Sequence, residues 1–175
     1  MRNLHPAKLP FAVLWCALAL GLAVGCVSEK QSKKIHPKPE SGGSAAIQEI
    51  NLLAIPVALN FDDKPGPDGF VIKIYAGNRN RAKPFPIESG KIEVLMYDGI
   101  PGVTENASLK PRRVWTYTAE ELRQSQIQSS IGTGYELAPL WGDAKPVQDK
   151  IAVVVRYTPL KGAALSSAPS IIAAR

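Results

Sequence analysis

The chain has 175 residues, 45% of them hydrophobic and 21% charged, with a net charge of +6 and two cysteines. That charge divides into +2 from residues 1–25, +2 from residues 27–48 and +2 from residues 49–175, where 15 basic residues meet 13 acidic ones. A C-terminal region so nearly balanced has no broad positive field for a nucleic-acid backbone, so no nucleic-acid partner is expected.

Arg2 and Lys8 make a basic start, Phe11 to Val24 is uncharged and rich in Leu, Ala and Val, and Ala23-Val24-Gly25 precedes Cys26. A basic n-region, an apolar h-region and small residues at the end are the parts of a secretory signal. Ala23-Val24-Gly25 also fits ordinary signal cleavage. The uncharged run Leu9–Ser28 is near the lower limit of about 17–25 residues for a membrane span, interrupted by Pro10 and several glycines. Cys16 lies within the signal, which leaves Cys26 alone in a processed chain, without an intrachain disulfide. The polar segment Val27-Ser28-Glu29-Lys30 begins directly after Cys26, which suits a small apolar residue of the h-region poorly. This arrangement resembles the bacterial lipoprotein signal class, in which the cysteine is lipidated and becomes the mature N-terminus. The resemblance implies removal of residues 1–25, a lipid anchor on Cys26, membrane lipid as a partner and a place in the cell envelope. Val27 stands where that class carries Asp for inner-membrane retention, which implies the outer membrane in a host with two membranes.

Residues 26–48 continue as a polar segment with Lys33-Lys34, Pro37, Pro39 and Gly42-Gly43. Few apolar side chains offset the entropy of ordering it, so it is expected to be a flexible tether with a reach of about 25 Å.

Residues 49–175 are expected to form one domain. Residues 50–61 read as a first strand with Leu53, Ile55, Val57, Leu59 and Phe61 on one face, bulged or at an edge because Pro56 lacks a ladder donor. Strict alternation then marks three further strands: Phe70, Ile72 and Ile74; Ile92, Val94 and Met96; and Ile151, Val153, Val155 and Tyr157. Weaker segments at 113–117 (Trp115, Tyr117), 134–140 (Tyr135, Leu137) and 163–173 complete the set, the last placed at an edge by Pro169. Thr118 and Glu121 make a capping box, which predicts a short helix continued by Leu122-Arg123-Gln124 and crossing between the sheets. The polar run Ser125 to Ser130 shows no strong periodicity. About seven short strands, one short helix and frequent Gly/Pro/Asp turns predict an all-β, antiparallel two-sheet β-sandwich.

Chemistry is sparse in this domain. His5 and His36 precede residue 49, so histidine- and cysteine-based nucleophile systems and zinc sites are excluded from residues 49–175. Asp62, Asp63 and Asp68 form the best carboxylate cluster, a candidate for calcium or for a carboxylate-dependent hydrolase. Their setting, Asp-Asp-Lys-Pro-Gly-Pro-Asp-Gly, reads better as a turn. The loop Asn78–Lys83 reads as the only local basic patch of the domain, suited to a solvated loop or to an acidic envelope polymer. Trp115, Tyr117, Tyr135 and Trp141 are core anchors or a carbohydrate-stacking platform, with Trp141, in a Pro-Leu-Trp-Gly-Asp turn, the candidate for exposure. No catalytic, metal-binding or cofactor-binding set emerges, and no cofactor is expected.

The strands Asp-Gly-Phe-Val-Ile-Lys-Ile-Tyr and Lys-Ile-Glu-Val-Leu-Met-Tyr-Asp behind a tether resemble uncharacterised β-sandwich lipoproteins of bacterial envelopes. Leu59-Asn60-Phe61-Asp62 is similar to the first strand and Asn-Asp turn of the type VI secretion outer-membrane lipoprotein. That family inserts helix where this chain has the Ile92–Tyr97 strand. The resemblance implies a lipid-anchored, non-catalytic interaction or scaffold protein with an envelope protein or polysaccharide as partner. The alternatives are a carbohydrate- or cell-wall-binding module and a carboxylate-dependent hydrolase.

The anchoring expectation has a direct check. The mature protein should partition into detergent with a diacylated N-terminus, and Cys26→Ser should release it or stall its processing. Mass spectrometry finding Cys26 unmodified in the wild type would refute the lipid anchor.

Overall fold

A computed structural model describes residues 46–104, 107 and 109–175. The signal at 1–25, Cys26 and the tether as far as residue 45 lie outside the described residues. Ten elements follow in order: β1 (Glu49–Ala54), β2 (Ile72–Gly77), β3 (Lys91–Asp98), β4 (Arg113–Thr118), α1 (Ala119–Gln124), β5 (Gln126–Ser129), β6 (Gly132–Leu137), β7 (Lys150–Thr158), β8 (Leu165–Ser166) and β9 (Ser170–Ala173). A single 3-10 turn, Gly142–Ala144, lies between β6 and β7.

These strands form the expected antiparallel two-sheet β-sandwich. One sheet has the order β1-β2-β6-β5; the other runs β4-β3-β7, with β8 and β9 sharing the outer edge of β7. The alternating Ile and Val residues face each other between the sheets. Ile72 and Ile74 of β2, Ile92, Val94 and Met96 of β3, and Ile151, Val153 and Val155 of β7 are fully buried. Each such side chain stabilises the fold by roughly 1.5–3 kcal/mol relative to exposure. Phe70 meets Trp115 edge-on, with ring centroids 5.7 Å apart, and lies 6.5 Å from Trp141.

The helix forms as the capping box dictates. Thr118 Oγ1 accepts from Glu121 N at 3.2 Å, and Glu121 Oε2 accepts from Thr118 N at 2.7 Å. The Thr118 N–H and hydroxyl both donate to this carboxyl and hold it below its ordinary value. The helix carries the chain from β4 in one sheet to β5 in the other, burying Leu122 and Ala119.

Nine strands replace the expected seven, for local reasons. Ser125–Ser130 holds β5, an edge strand in which Ile127 is the single half-buried apolar residue, so it shows no alternation. The segment 163–173 divides into β8 and β9, because Ser167 turns inward and Pro169 supplies no ladder donor. Ser167 Oγ accepts from Val155 N at 3.0 Å and donates to Ala168 O at 2.8 Å.

The first strand differs most. It ends at Ala54, and its core-facing residues are Ile50, Leu52 and Ala54, not the expected row beginning at Leu53. The β1–β2 register places them opposite Ala76, Ile74 and Ile72, which are all buried. After Pro56 the chain leaves β1 and makes a parallel bridge from Val57 to Ala173 of the other sheet, with Ala58 N donating to Ala173 O at 2.7 Å. Ahead of β1, Ile47 packs against the core and Gln48 N donates to Gly77 O at 2.9 Å, so the end of the tether segment is fastened to the domain.

Tyr135, fully buried on β6, joins the sheet to the β2–β3 connection. Its hydroxyl accepts from Ile87 N at 2.7 Å, and burial holds its pKa above the ordinary 10.0. Tyr135→Phe leaves a buried N–H without an acceptor and should cost about 1–3 kcal/mol, measured by urea unfolding. A raised folded pKa contributes stability below the unfolded pKa that is lost as pH rises through the folded value. The wild type should therefore lose stability above about pH 10, and Tyr135→Phe should lose it less steeply.

Candidate functional site

The loop between β1 and β2 spends its polar groups on its own turn. Asn60 Oδ1 accepts from Asp62 N at 3.1 Å, Asp62 Oδ1 from Lys64 N at 2.9 Å, and Asp68 Oδ1 from Phe61 N at 2.9 Å. Asn60 Nδ2 closes the loop on Lys64 O at 2.7 Å. This is the local hydrogen bonding through which Asn and Asp shape turns. Among the described residues no group of three or more His, Cys, Asp or Glu side chains is placed to hold a metal ion.

The basic loop Asn78–Lys83 has its own structural duties. Asn78 donates to Ala46 O at 2.7 Å and accepts from Asn80 N at 2.8 Å, while Arg79 N donates to Gln48 Oε1. The Arg81 guanidinium lies over the Phe85 ring at 5.2 Å. Arg79, Arg81 and Lys83 are exposed.

The aromatic residues do not form a platform. Trp141, the candidate for exposure, is 2% exposed, and Tyr135 is fully buried. The reason is that Trp141 packs beside Phe70 while its backbone N donates to Asp68 O at 3.0 Å. Trp115 and Tyr117 are half-buried on the core-facing side of β4, and the Trp115 indole donates to Leu140 O at 3.2 Å.

A polar knot around Asp98 escaped the sequence reading. Asp98, at the end of β3, is 8% exposed and accepts from Val147 N, Gln148 N and Arg112 Nη1 at 2.9–3.1 Å. Arg112 also donates through Nε to Ala144 O at 3.0 Å, and Arg113 donates through Nη1 to Trp141 O at 2.5 Å. A shallow pocket of about 400 Å³ opens among Arg112, Arg113, Asp143 and Ala144. The basic run Lys110-Pro111-Arg112-Arg113 was the signal that marked this place in the sequence.

The largest departure from the expected surface is apolar. Leu53, Ile55, Val57 and Phe61, expected on one face of the first strand, are 55%, 40%, 48% and 44% exposed. Leu59 bridges to Gly69, and Gly69 to Leu140, extending the row across three chain segments. Leu140 is 48% exposed. A Cβ at Gly69 would lie 2.9 Å from Leu140 Cδ2 and 3.1 Å from Phe61 Cε2, so both side chains rest over that glycine. The result is an apolar strip along residues 53–61, which ends where Phe61 and Leu140 meet over Gly69. Exposed apolar residues scattered singly need no explanation, whereas a contiguous strip does.

No protein-family model, curated protein or solved structure matches the chain. Among the described residues no helix is long and apolar enough to cross a membrane.

The Asp98 knot makes a graded prediction. Asp98→Ala strands two backbone N–H groups and the Arg112 cation and should lower stability by about 2–3 kcal/mol. Asp98→Asn keeps an acceptor for Val147 and Gln148 and should cost less. Equal losses in urea unfolding would assign the knot to the ion pair alone.

Proposed function

We propose that this chain is a lipid-anchored cell-envelope protein with a non-catalytic interaction or scaffold role. Cys26 carries the anchor to membrane lipid, residues 26–48 give reach, and the outer side of the β1 edge docks a partner protein of the envelope. In a host with two membranes the place is the outer membrane. The observation that carries the docking part is the strip Leu53, Ile55, Val57, Phe61 and Leu140. Its exposed apolar area, on the order of 400 Å², is comparable with the largest patches on soluble monomers, which often mark interaction sites. No described element of the domain covers it, and β1 is an edge strand. Edge strands present backbone groups to which another chain pairs, so apolar side chains beside such an edge favour a protein partner.

A carbohydrate-binding module would be supported by exposed aromatic rings beside polar groups, and here Tyr135 and Trp141 are in the core. A hydrolase built on Asp62, Asp63 and Asp68 would be supported by free carboxylates, and Asp62 and Asp68 are turn acceptors.

The test is a triple variant, Leu53→Ser, Val57→Ser and Phe61→Ser, in the full-length anchored chain. Because these side chains are about half exposed, each substitution should cost under about 1 kcal/mol. Wild-type protein extracted in mild detergent should run as a complex larger than the free chain on native gels. The variant should run as the free chain while keeping its thermal transition. An unchanged complex in the variant would remove the strip from the docking role.

A further inference from the structure

We infer that the pocket beside the 3-10 turn is a binding site for a carboxylate group, with Arg113 as its principal ligand. Arg113 opens β4 and is half-buried. Its Nη1 donates to Trp141 O, and its guanidinium lies over the Trp115 ring, 5.3 Å from the centroid. Both contacts are with uncharged groups. Among the described residues no carboxylate lies within ion-pair distance of Arg113, whereas the neighbouring Arg112 is neutralised by Asp98 at 3.1 Å. The pocket therefore presents a fixed cation with no ion-pair partner among the described residues.

The side chain is held from two directions. The carbonyl of Trp141 and the face of Trp115 take one edge and one plane of the guanidinium, and Gly142 gives it room. A Cβ on Gly142, whose φ is +49°, would lie 3.1 Å from Arg113 Nη1. Nε and Nη2 of Arg113 donate to no described residue, nor does Nη2 of Arg112 on the same pocket lining. A guanidinium held in place, with N–H groups to spare, matches an oxyanion through paired charge-assisted hydrogen bonds.

Asp143 selects among anions. It lines the same pocket, so a dianionic phosphate meets more repulsion there than a singly charged carboxylate. With Asp143 already offsetting part of the guanidinium's charge, each further negative charge costs more, which sets a monoanion ahead of a dianion. This site lies on the Arg112–Ala144 side of Trp141, and its chemistry does not depend on the apolar strip.

The probe is sodium propionate, titrated into the full-length protein in detergent while the Trp115 indole N–H is followed by NMR, with inorganic phosphate as a second arm. Propionate should shift that signal saturably, and the effect should weaken as salt is raised. Arg113→Gln should lose the response, and Asp143→Asn should tighten it by about two- to five-fold. The thermal transition of Arg113→Gln reports whether the variant is folded. If it is not, Asp143→Asn, which alters an exposed side chain, carries the test alone. A linear, unsaturable shift, an unchanged response in folded Arg113→Gln, or no tightening in Asp143→Asn would overturn the site. Phosphate binding tighter than propionate would overturn the choice of carboxylate.

Discussion

The pairing register between β1 and β2 is the constraint on which the surface of this molecule depends. Ile72, Ile74 and Ala76 are committed to the interior, because their strand lies inside one sheet and faces β3 and β7 across the core. An antiparallel partner must put its own residues on the same side as those directly opposite, so Ile50, Leu52 and Ala54 follow them inward. Since side chains alternate with a period of two, Leu53 and Ile55 are turned out. A one-residue slip would bury the larger residues, but it would break the match to β2. The outward turn of Leu53 and Ile55, where the apolar strip begins, is therefore the consequence of a register that the core enforces.

The segment from Pro139 to Gln148 performs a second task, tying the sandwich together at one end. Leu140 and Trp141 offer their carbonyls to Trp115 and Arg113 of the opposite sheet, and Trp141 fills space beside Phe70. Ala144 accepts from Arg112, and Val147 and Gln148 donate to Asp98. A connection with no regular ladder of its own thus has its backbone groups paired by side chains of β3, β4 and the residue before β4. Arginine suits this role because its fork reaches a carbonyl on one edge and leaves donors on another. The same feature makes Arg113 a structural clamp and a ligand-facing group at once.

Legibility differed from element to element for physical reasons. The strands at Ile72–Ile74, Ile92–Met96 and Ile151–Val155 were plain because each has one apolar face, and the helix was plain because its cap is a local hydrogen-bonded unit. Residues 50–61 were ambiguous because both faces are apolar: Ile50, Leu52 and Ala54 on one, Leu53, Ile55 and Val57 on the other. Periodicity announces a strand in that case but not its inward side. β5 was silent because a polar edge strand buries little, and Trp141 misled because its Pro-Leu-Trp-Gly-Asp setting is a turn whatever its burial. The clamp of Asp98, Arg112 and Arg113 joins residues up to 50 positions apart, a distance over which no local pattern speaks.

By itself the sequence determined the fold class, the short capped helix, the turn character of the Asp62–Asp68 loop and the absence of histidine and cysteine from residues 49–175. Each of these is a property of composition or of neighbours within a few positions. The tertiary structure alone decided which face of β1 meets solvent, that Trp141 is interior, and that Arg113 lies on an aromatic ring without a carboxylate partner among the described residues. Those outcomes are set by which strands pair and in what register, and that choice is made by the whole core.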